Sequence, residues 1–251
     1  MTDTEKYLTP EECEGLDELS EEERAKALER IKNNEPSAYV FGRKYFFKNY
    51  FSINKDCLSP RPDTERVVEH CLDVIKGVKD PLIADLCAGC GIIGLTLLDE
   101  RRDASAHLYE ISQGALDMAR LNAKSLGCLD RAVFFPLDLM KADELHGTYD
   151  LIVSNPPYLT TREIEDYPDL KSEPYIAFDG GEDGNDFYIR FLSAFSKSLS
   201  PDGFFVFEIG YAQGQAIKRI ANDFGYSCRV FRDYGGNDRV ALLQRRKKEE
   251  R

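Results

Sequence analysis

The sequence predicts an α/β fold: a doubly wound, mainly parallel sheet of seven strands, preceded by a small helical segment and a β-hairpin. Two observations carry this. From residue 81 onward, short apolar runs at 82–86, 106–110, 132–136, 149–154, 203–209, 226–231 and 238–243 alternate with helical patterns at 92–101, 113–126, 186–199 and 212–224. Such alternation implies parallel strands joined by crossover helices on both faces of one sheet. The last connection differs, because it holds no helix and contains Tyr234-Gly235-Gly236-Asn237, a hairpin signal. The final strand should therefore run antiparallel beside six parallel ones.

The elements before residue 81 follow from local chemistry. Thr9-Pro10-Glu11-Glu12 offers a cap hydroxyl, a proline in the first turn and a carboxylate three residues after the cap. Ser20-Glu21-Glu22-Glu23 repeats that pattern ahead of Ala25, Ala27, Leu28 and Ile31, so a second helix is expected. Tyr39, Phe41, Tyr45, Phe46, Phe47, Tyr50 and Phe51 then crowd around Gly42 and Asn49, which reads as a β-hairpin. Two prolines interrupt Ser59-Pro60-Arg61-Pro62-Asp63-Thr64-Glu65, and Asp63 or Thr64 is expected to cap a helix running to about Lys76. The expected division is a helical substrate-recognition segment at 1–38, a hairpin linker at 39–59 and an α/β domain at 60–251, whose charged tail from Arg245 is expected to fray.

Charge narrows the partners. The 251 residues carry 45 acidic and 33 basic side chains, net −12. Residues 1–35 alone hold 12 acids and 5 bases, so −7 of that charge sits in the helical segment. Duplex-binding proteins usually show a basic footprint, and this chain lacks one overall. The start, Met1-Thr2-Asp3-Thr4-Glu5, lacks the basic flank and apolar stretch of a signal peptide, and no apolar run approaches the length of a bilayer span. A cytoplasmic protein, a monomer with no membrane association and no stable nucleic-acid partner, is expected. Seven scattered cysteines are an odd number and are expected as reduced thiols.

The first strand ends in Asp85-Leu86-Cys87-Ala88-Gly89-Cys90-Gly91 and a helix starts at once. Small residues let the backbone approach a ligand, and the helix start supplies free N–H groups. The second strand ends at Glu110, an acid placed for ribose hydroxyls, and the third is followed by Asp138, placed for an adenine amino group. Acids at successive strand ends suit an adenosine ligand. Cys87-Ala88-Gly89-Cys90 is also a CxxC pair; no second pair exists to complete a zinc site, so no metal is expected. A redox pair at a helix start is the alternative to simple filling of a tight loop.

After the fourth strand stands Asn155-Pro156-Pro157-Tyr158. The Asn155 amide oxygen can accept one hydrogen bond, and Pro156 leaves its carbonyl free as a second acceptor. Two convergent acceptors fit a planar –NH₂ group, and the Tyr158 ring can stack on the plane that bears it. Such a nitrogen is a weak nucleophile, so orientation and stabilisation of developing positive charge are what a site must supply. Asn155, Pro156 and Tyr158 are the expected catalytic residues. Asn155, Pro156, Pro157 and Tyr158 together are expected to bind substrate.

These motifs resemble S-adenosylmethionine-dependent methyltransferases that act on planar amino groups, which have a Rossmann-like fold. Within them the chain resembles the release factor glutamine methyltransferases over about residues 36–244. The resemblance includes Glu35-Pro36-x-x-Tyr39-Val40-x-Gly42, Pro60-Arg61-Pro62-Asp63-Thr64-Glu65, Glu173-Pro174-x-x-Ala177-x-Asp179-Gly180-Gly181-x-Asp183-Gly184, Glu208-Ile209-Gly210 and Asp233-Tyr234-Gly235-x-Asn237-Asp238-Arg239-Val240. It implies S-adenosylmethionine as cofactor, S-adenosylhomocysteine as its product, and the Gly-Gly-Gln loop of a peptide-chain release factor as protein substrate. It also implies that Asp85, Cys87, Ala88, Gly89, Cys90, Gly91, Glu110, Asp138, Leu139 and Asn155 hold the cofactor. Cys87 departs from the glycine common at that place, and the helical segment before Glu35 is shorter than the family's usual N-terminal domain.

Three other readings share parts of these features. An adenine or cytosine amino methyltransferase on DNA or RNA would present the same –NH₂ to the same acceptors, but the acidic balance disfavours it. A nicotinamide-dependent oxidoreductase would use Gly89-x-Gly91-x-x-Gly94 and leave Asn155–Tyr158 unexplained. A non-catalytic module would follow if Cys87 crippled the pocket.

Overall fold

A computed structural model of the chain describes residue 8, residues 10–166, residue 170 and residues 172–246. The cap expected at Thr9 and the tail beyond residue 246 lie outside the described residues. Helix α1 (Pro10–Asp17) and helix α2 (Glu21–Lys32) open the chain. The box expected at α2 is present: Ser20 accepts from the Glu23 N–H, and the Glu23 carboxylate accepts from the Ser20 backbone. Helix α3 (Ser37–Phe41) then leads into a hairpin of β1 (Arg43–Phe46) and β2 (Asn49–Ser52). Tyr39 and Phe41, expected within the hairpin, thus belong to α3; Gly42 ends that helix in a left-handed conformation.

Helix α4 (Thr64–Val74) follows the two prolines. The cap expected there is absent: Asp63 stands at the N-cap with no side-chain cap bond, and Thr64 is the first helical residue, its hydroxyl donating to Glu208. The chain then alternates through β3 (Leu82–Leu86), α5 (Ile92–Glu100), β4 (Ser105–Glu110), α6 (Gln113–Ser125), β5 (Ala132–Pro136) and β6 (Tyr149–Ser154). Helix α7 (Thr161–Asp166), α8 (Asp186–Phe195), β7 (Leu199–Glu208), α9 (Gly214–Asp223), β8 (Tyr226–Arg232) and β9 (Asp238–Arg245) complete the described chain. Helix α7 was not anticipated, and β7 starts four residues earlier than the apolar run at 203–209.

The large sheet has seven strands in the order β5-β4-β3-β6-β7-β9-β8. Six are mutually parallel, and β9 inserts antiparallel between β7 and β8, as the helix-free connection required. Side chains alternate between its faces: Ile83, Leu151, Val153 and Val206 pack with α4, α5 and α6, whereas Ala84, Ile152, Phe205 and Phe207 pack with α8 and α9. The hairpin joins the first of these cores through Phe46 and Phe51, both fully buried. Asn122 of α6 fastens it further, accepting from the Ser52 N–H at 2.7 Å and donating to the Ser52 and Cys90 carbonyls at 3.0 Å. The hairpin is thereby tied to the loop after β3. No helix among the described residues is long and apolar enough to cross a membrane.

Candidate active site

Chain order turns around between β3 and β6: from β3 the sheet grows outward to β4 and β5, then resumes on the other side with β6. Loops leaving the carboxyl ends of two such strands part to opposite faces and open a crevice, the usual ligand position in a doubly wound sheet. Here the two loops are Cys87–Gly91 and Asn155–Tyr158. A cavity of about 330 Å³ occupies the crevice. Cys87, Ala88, Gly89 and Cys90 line one wall, Glu110, Asp138 and Leu139 a second, and Asn155 and Pro157 a third.

Not every residue expected at the cofactor faces that cavity. Asp85 is 1% exposed and lies beneath the loop, its Oδ2 accepting from the Gly94 N–H at 2.8 Å. Its Oδ1 is buried without a partner among the described residues, and burial pushes its carboxyl up to about 7. Gly91, off the cavity wall, caps α5 at φ +84°. Pro156 and Tyr158 are also absent from the cavity lining.

Glu110 is placed by backbone. Its Oε2 accepts from the Gly89 N–H and its Oε1 from the Ser112 N–H, each at 2.9 Å. Asp138 reaches the cavity, but its carboxylate turns to the Met140 N–H at 3.1 Å and the Lys141 ammonium at 2.8 Å, which holds it below its ordinary pKa. The CxxC cysteines take separate partners. Cys87 Sγ lies against the Ser154 hydroxyl, Cys90 Sγ against Cys57, and burial raises both CxxC thiols. Thiols so placed stay protonated, which favours loop filling over the redox reading. Cys87 adopts φ +57°, the left-handed region that the glycine common at this place takes freely.

The Asn155–Tyr158 loop is held from several sides. The Ser154 hydroxyl donates to the Leu86 carbonyl at 2.6 Å and ties the ends of β6 and β3 together. Gln213 Nε2 donates to the Tyr158 and Gly184 carbonyls, both at 3.0 Å. Gly180 and Gly184 press backbone against backbone: an added Cβ would stand 2.8 Å from the Pro157 carbonyl and 2.4 Å from that of Tyr158. The Asp-Gly-Gly-x-Asp-Gly stretch therefore moulds this loop. Asn155 Nδ2 donates to Thr64 Oγ1 at 3.4 Å, and the Tyr158 hydroxyl donates to Glu208 Oε1 at 3.3 Å.

Several participants were missed from sequence. Arg61 lines the cavity and is paired with Glu173, whose side chain is 4% exposed. Glu173 also accepts from the Ser59 N–H at 2.9 Å, clasping the segment before Pro174 to the one around Pro60, and lies 3.3 Å from the Tyr39 hydroxyl, which donates to the Cys57 carbonyl at 2.5 Å. Ile111, Met140 and Ile176 form an apolar rim. Besides their place in the motifs that carry the family resemblance, the buried acids had one further sequence signal: Glu208 closes the apolar run Phe204–Phe207, where a carboxylate has no reason to sit unless it is partnered. Among the described residues no cluster of three or more His, Cys, Asp or Glu side chains is arranged to hold a metal ion.

Comparison with known proteins agrees with this geometry. The family model described as "Methyltransferase small domain" matches residues 67–167. A protein of Bacillus subtilis named release factor glutamine methyltransferase is 36% identical over 93% of this chain and 83% of its own length. One of the same name from Fusobacterium nucleatum is 33% identical over 91% of this chain, which spans 66% of that relative. The solved structure of a Pyrococcus furiosus methyltransferase superposes with a TM-score of 0.56, at 18% identity, over 87% of this chain and 97% of its own; at that identity it speaks for the fold alone. With the fold, the loop pair at the crevice and relatives above 30% identity over most of their length in agreement, the chain belongs to the release factor glutamine methyltransferase family.

Proposed function

We propose that this chain transfers the methyl group of S-adenosylmethionine to the side-chain amide nitrogen of a glutamine, in the Gly-Gly-Gln loop of a peptide-chain release factor. The observation that carries this is the placement of Asn155 beside the glycine loop on one cavity, with its amide nitrogen engaged by Thr64. The Asn155 oxygen is left as an acceptor for a substrate N–H. The Pro156 carbonyl is a second, since no hydrogen bond from a described residue reaches it.

The residues present suit the cofactor. A cavity of about 330 Å³ falls in the range of small-ligand sites. Glu110, fixed by two backbone N–H groups, retains lone pairs for ribose hydroxyls. Ile111, Leu139 and Met140 offer apolar walls for a planar base, and the Gly89 position opens into free space. Cys87, Ala88, Gly89 and Cys90 would hold the amino-acid end, with Asp85 and Gly91 supporting the loop from below. When bound, S-adenosylmethionine supplies a methyl group activated by its sulfonium, and S-adenosylhomocysteine remains.

The protein's own part is orientation. Acceptors on both amide hydrogens turn the nitrogen toward the cofactor side of the crevice and stabilise positive charge as it develops. Tyr158, fixed through Glu208, flanks the planar group. Of the carboxylates in the cavity lining, Glu110 accepts from backbone, Asp138 from lysine and Asp56 from the Asn54 amide, and the surplus proton departs to solvent.

Asn155→Ala tests the reading. It is expected to keep cofactor affinity by calorimetry and to lose about 100-fold in release-factor methylation. Turnover equal to the parent protein would refute the role of Asn155.

A further inference from the structure

We propose that Glu208, acting through Thr64, is a positioning residue that decides which end of the Asn155 amide faces the substrate nitrogen; the proposal rests on the function given above. Glu208 ends β7, is 1% exposed, and is held by side chains from the loops around it. Its Oε2 accepts from the Thr64 hydroxyl at 2.6 Å and its Oε1 from the Tyr158 hydroxyl at 3.3 Å. One carboxylate thus reaches both functional side chains of the Asn155–Tyr158 loop, one directly and one through a relay.

The relay works by proton counting. A threonine hydroxyl has a single proton and two lone pairs. Thr64 spends its proton on Glu208, so toward Asn155 it can only accept. Asn155 must meet it with Nδ2, as observed at 3.4 Å, and a planar amide that points nitrogen inward points oxygen the other way. The oxygen is the end that a substrate –NH₂ needs. Were the amide reversed, two donors would face each other at the substrate and two acceptors at Thr64.

Burial, with the Asp63 carboxylate adding to it, raises the Glu208 pKa above its ordinary value, while the Thr64 hydroxyl, the Arg239 guanidinium and the Tyr158 hydroxyl pull the other way; with both oxygens accepting hydroxyl protons, it is as a carboxylate that the group serves the relay. Arg239 is held in turn by Asp233 at 3.2 Å and Asp63 at 3.4 Å. The Pro-Arg-Pro-Asp-Thr-Glu, Glu-Ile-Gly and Asn-Asp-Arg-Val motifs therefore converge on one task. Thr64 and Glu208 act on the reaction only through Asn155 and Tyr158.

The test uses the full chain, S-adenosylmethionine and purified release factor, with kcat, cofactor Kd and Tm measured on each variant. Thr64→Val keeps the shape and removes the hydroxyl; it is expected to lower kcat about 100-fold with cofactor Kd changed less than about twofold. Thr64→Ser, which keeps the hydroxyl, is expected to restore most of the turnover. Glu208→Gln is expected to lower kcat about tenfold, because its amide can donate to Thr64 and release that hydroxyl to donate toward Asn155. Should Thr64→Val fail to fold, Thr64→Ala against Thr64→Ser gives the same comparison. Thr64→Val or Thr64→Ala turning over within threefold of the parent, or Thr64→Ser failing to restore turnover, overturns the positioning role alone. A parent protein that leaves release factor unmethylated overturns the proposed function and this role with it.

Discussion

Thr64 Oγ1 donates to Glu208 Oε2 at 2.6 Å across 144 residues of chain, and the bond is fully buried. A helix start and a strand end are thereby locked together directly behind Asn155. Thr64 is the first residue of α4, and its hydroxyl points to Glu208 rather than back to its own helix.

Gly184 and Gly180 are expected to tolerate no side chain. With a Cβ 2.4 Å from the Tyr158 carbonyl, Gly184→Ala must displace the loop or its neighbour, at a cost of about 2 kcal/mol. Turnover should fall at least tenfold, a loss larger than that in cofactor affinity. Gly77→Ala, where nothing lies within 4 Å, is the neutral control. Urea unfolding and steady-state kinetics on the two variants check this.

Cys87→Gly addresses the left-handed backbone at φ +57°. Relief of that conformation is worth about 1 kcal/mol and is offset in part by the greater freedom of glycine in the unfolded chain. The variant should melt within a few degrees of the parent and keep cofactor affinity. A tenfold loss of affinity would mean that the Cys87 side chain itself contacts the cofactor.

Glu173→Ala removes the carboxylate that serves the Ser59 N–H and the Arg61 guanidinium, while Tyr39 keeps its bond to the Cys57 carbonyl. Donors left unsatisfied in a buried setting cost about 3 kcal/mol together. Because Arg61 and Pro174 both line the cavity, cofactor release should also quicken, read by stopped-flow displacement.

Stability of the ligand-free protein should fall as pH rises from about 4 toward neutrality. Asp85, pushed to about 7, keeps a proton in the folded state that the unfolded chain has lost above its ordinary value of 3.8. Between those values each pH unit removes at most about 1.4 kcal/mol, and above about 7 the loss levels off. Glu208 is shifted in the same direction by burial. Glu35 acts oppositely at the acid end: Arg30 and Lys55 hold it at about 2, so its contribution disappears as pH drops from about 4 toward 2. Urea midpoints should be lower at pH 8 than at pH 5.5, and Asp85→Asn should remove most of that difference. A parent midpoint independent of pH would refute the assignment.

Much of the fold was legible because strand and helix periods are local properties. The run Leu82–Leu86 and the helix from Ile92 are written in consecutive residues, and Gly235-Gly236 announced the antiparallel strand. Tyr39 and Phe41 misled because aromatic crowding does not distinguish a hairpin from the short helix feeding it. The loops carrying Cys87–Gly91 and Asn155–Tyr158 were legible through their chemistry. Arg61, Thr64, Glu173 and Glu208 were not assignable, since each acquires its role from partners 50 to 144 residues away. No periodicity reports such pairs; a buried acid at the end of an apolar strand was the nearest hint.

The proposed chemistry is tested most directly by where the methyl group goes. The protein is incubated with isotopically labelled S-adenosylmethionine and an equimolar mixture of release factor and duplex DNA, and digested products are read by mass spectrometry. The account predicts label on the side-chain nitrogen of the glutamine in the Gly-Gly-Gln loop, and none on DNA. Label on an adenine or cytosine amino group, with the release factor unmodified, would contradict it.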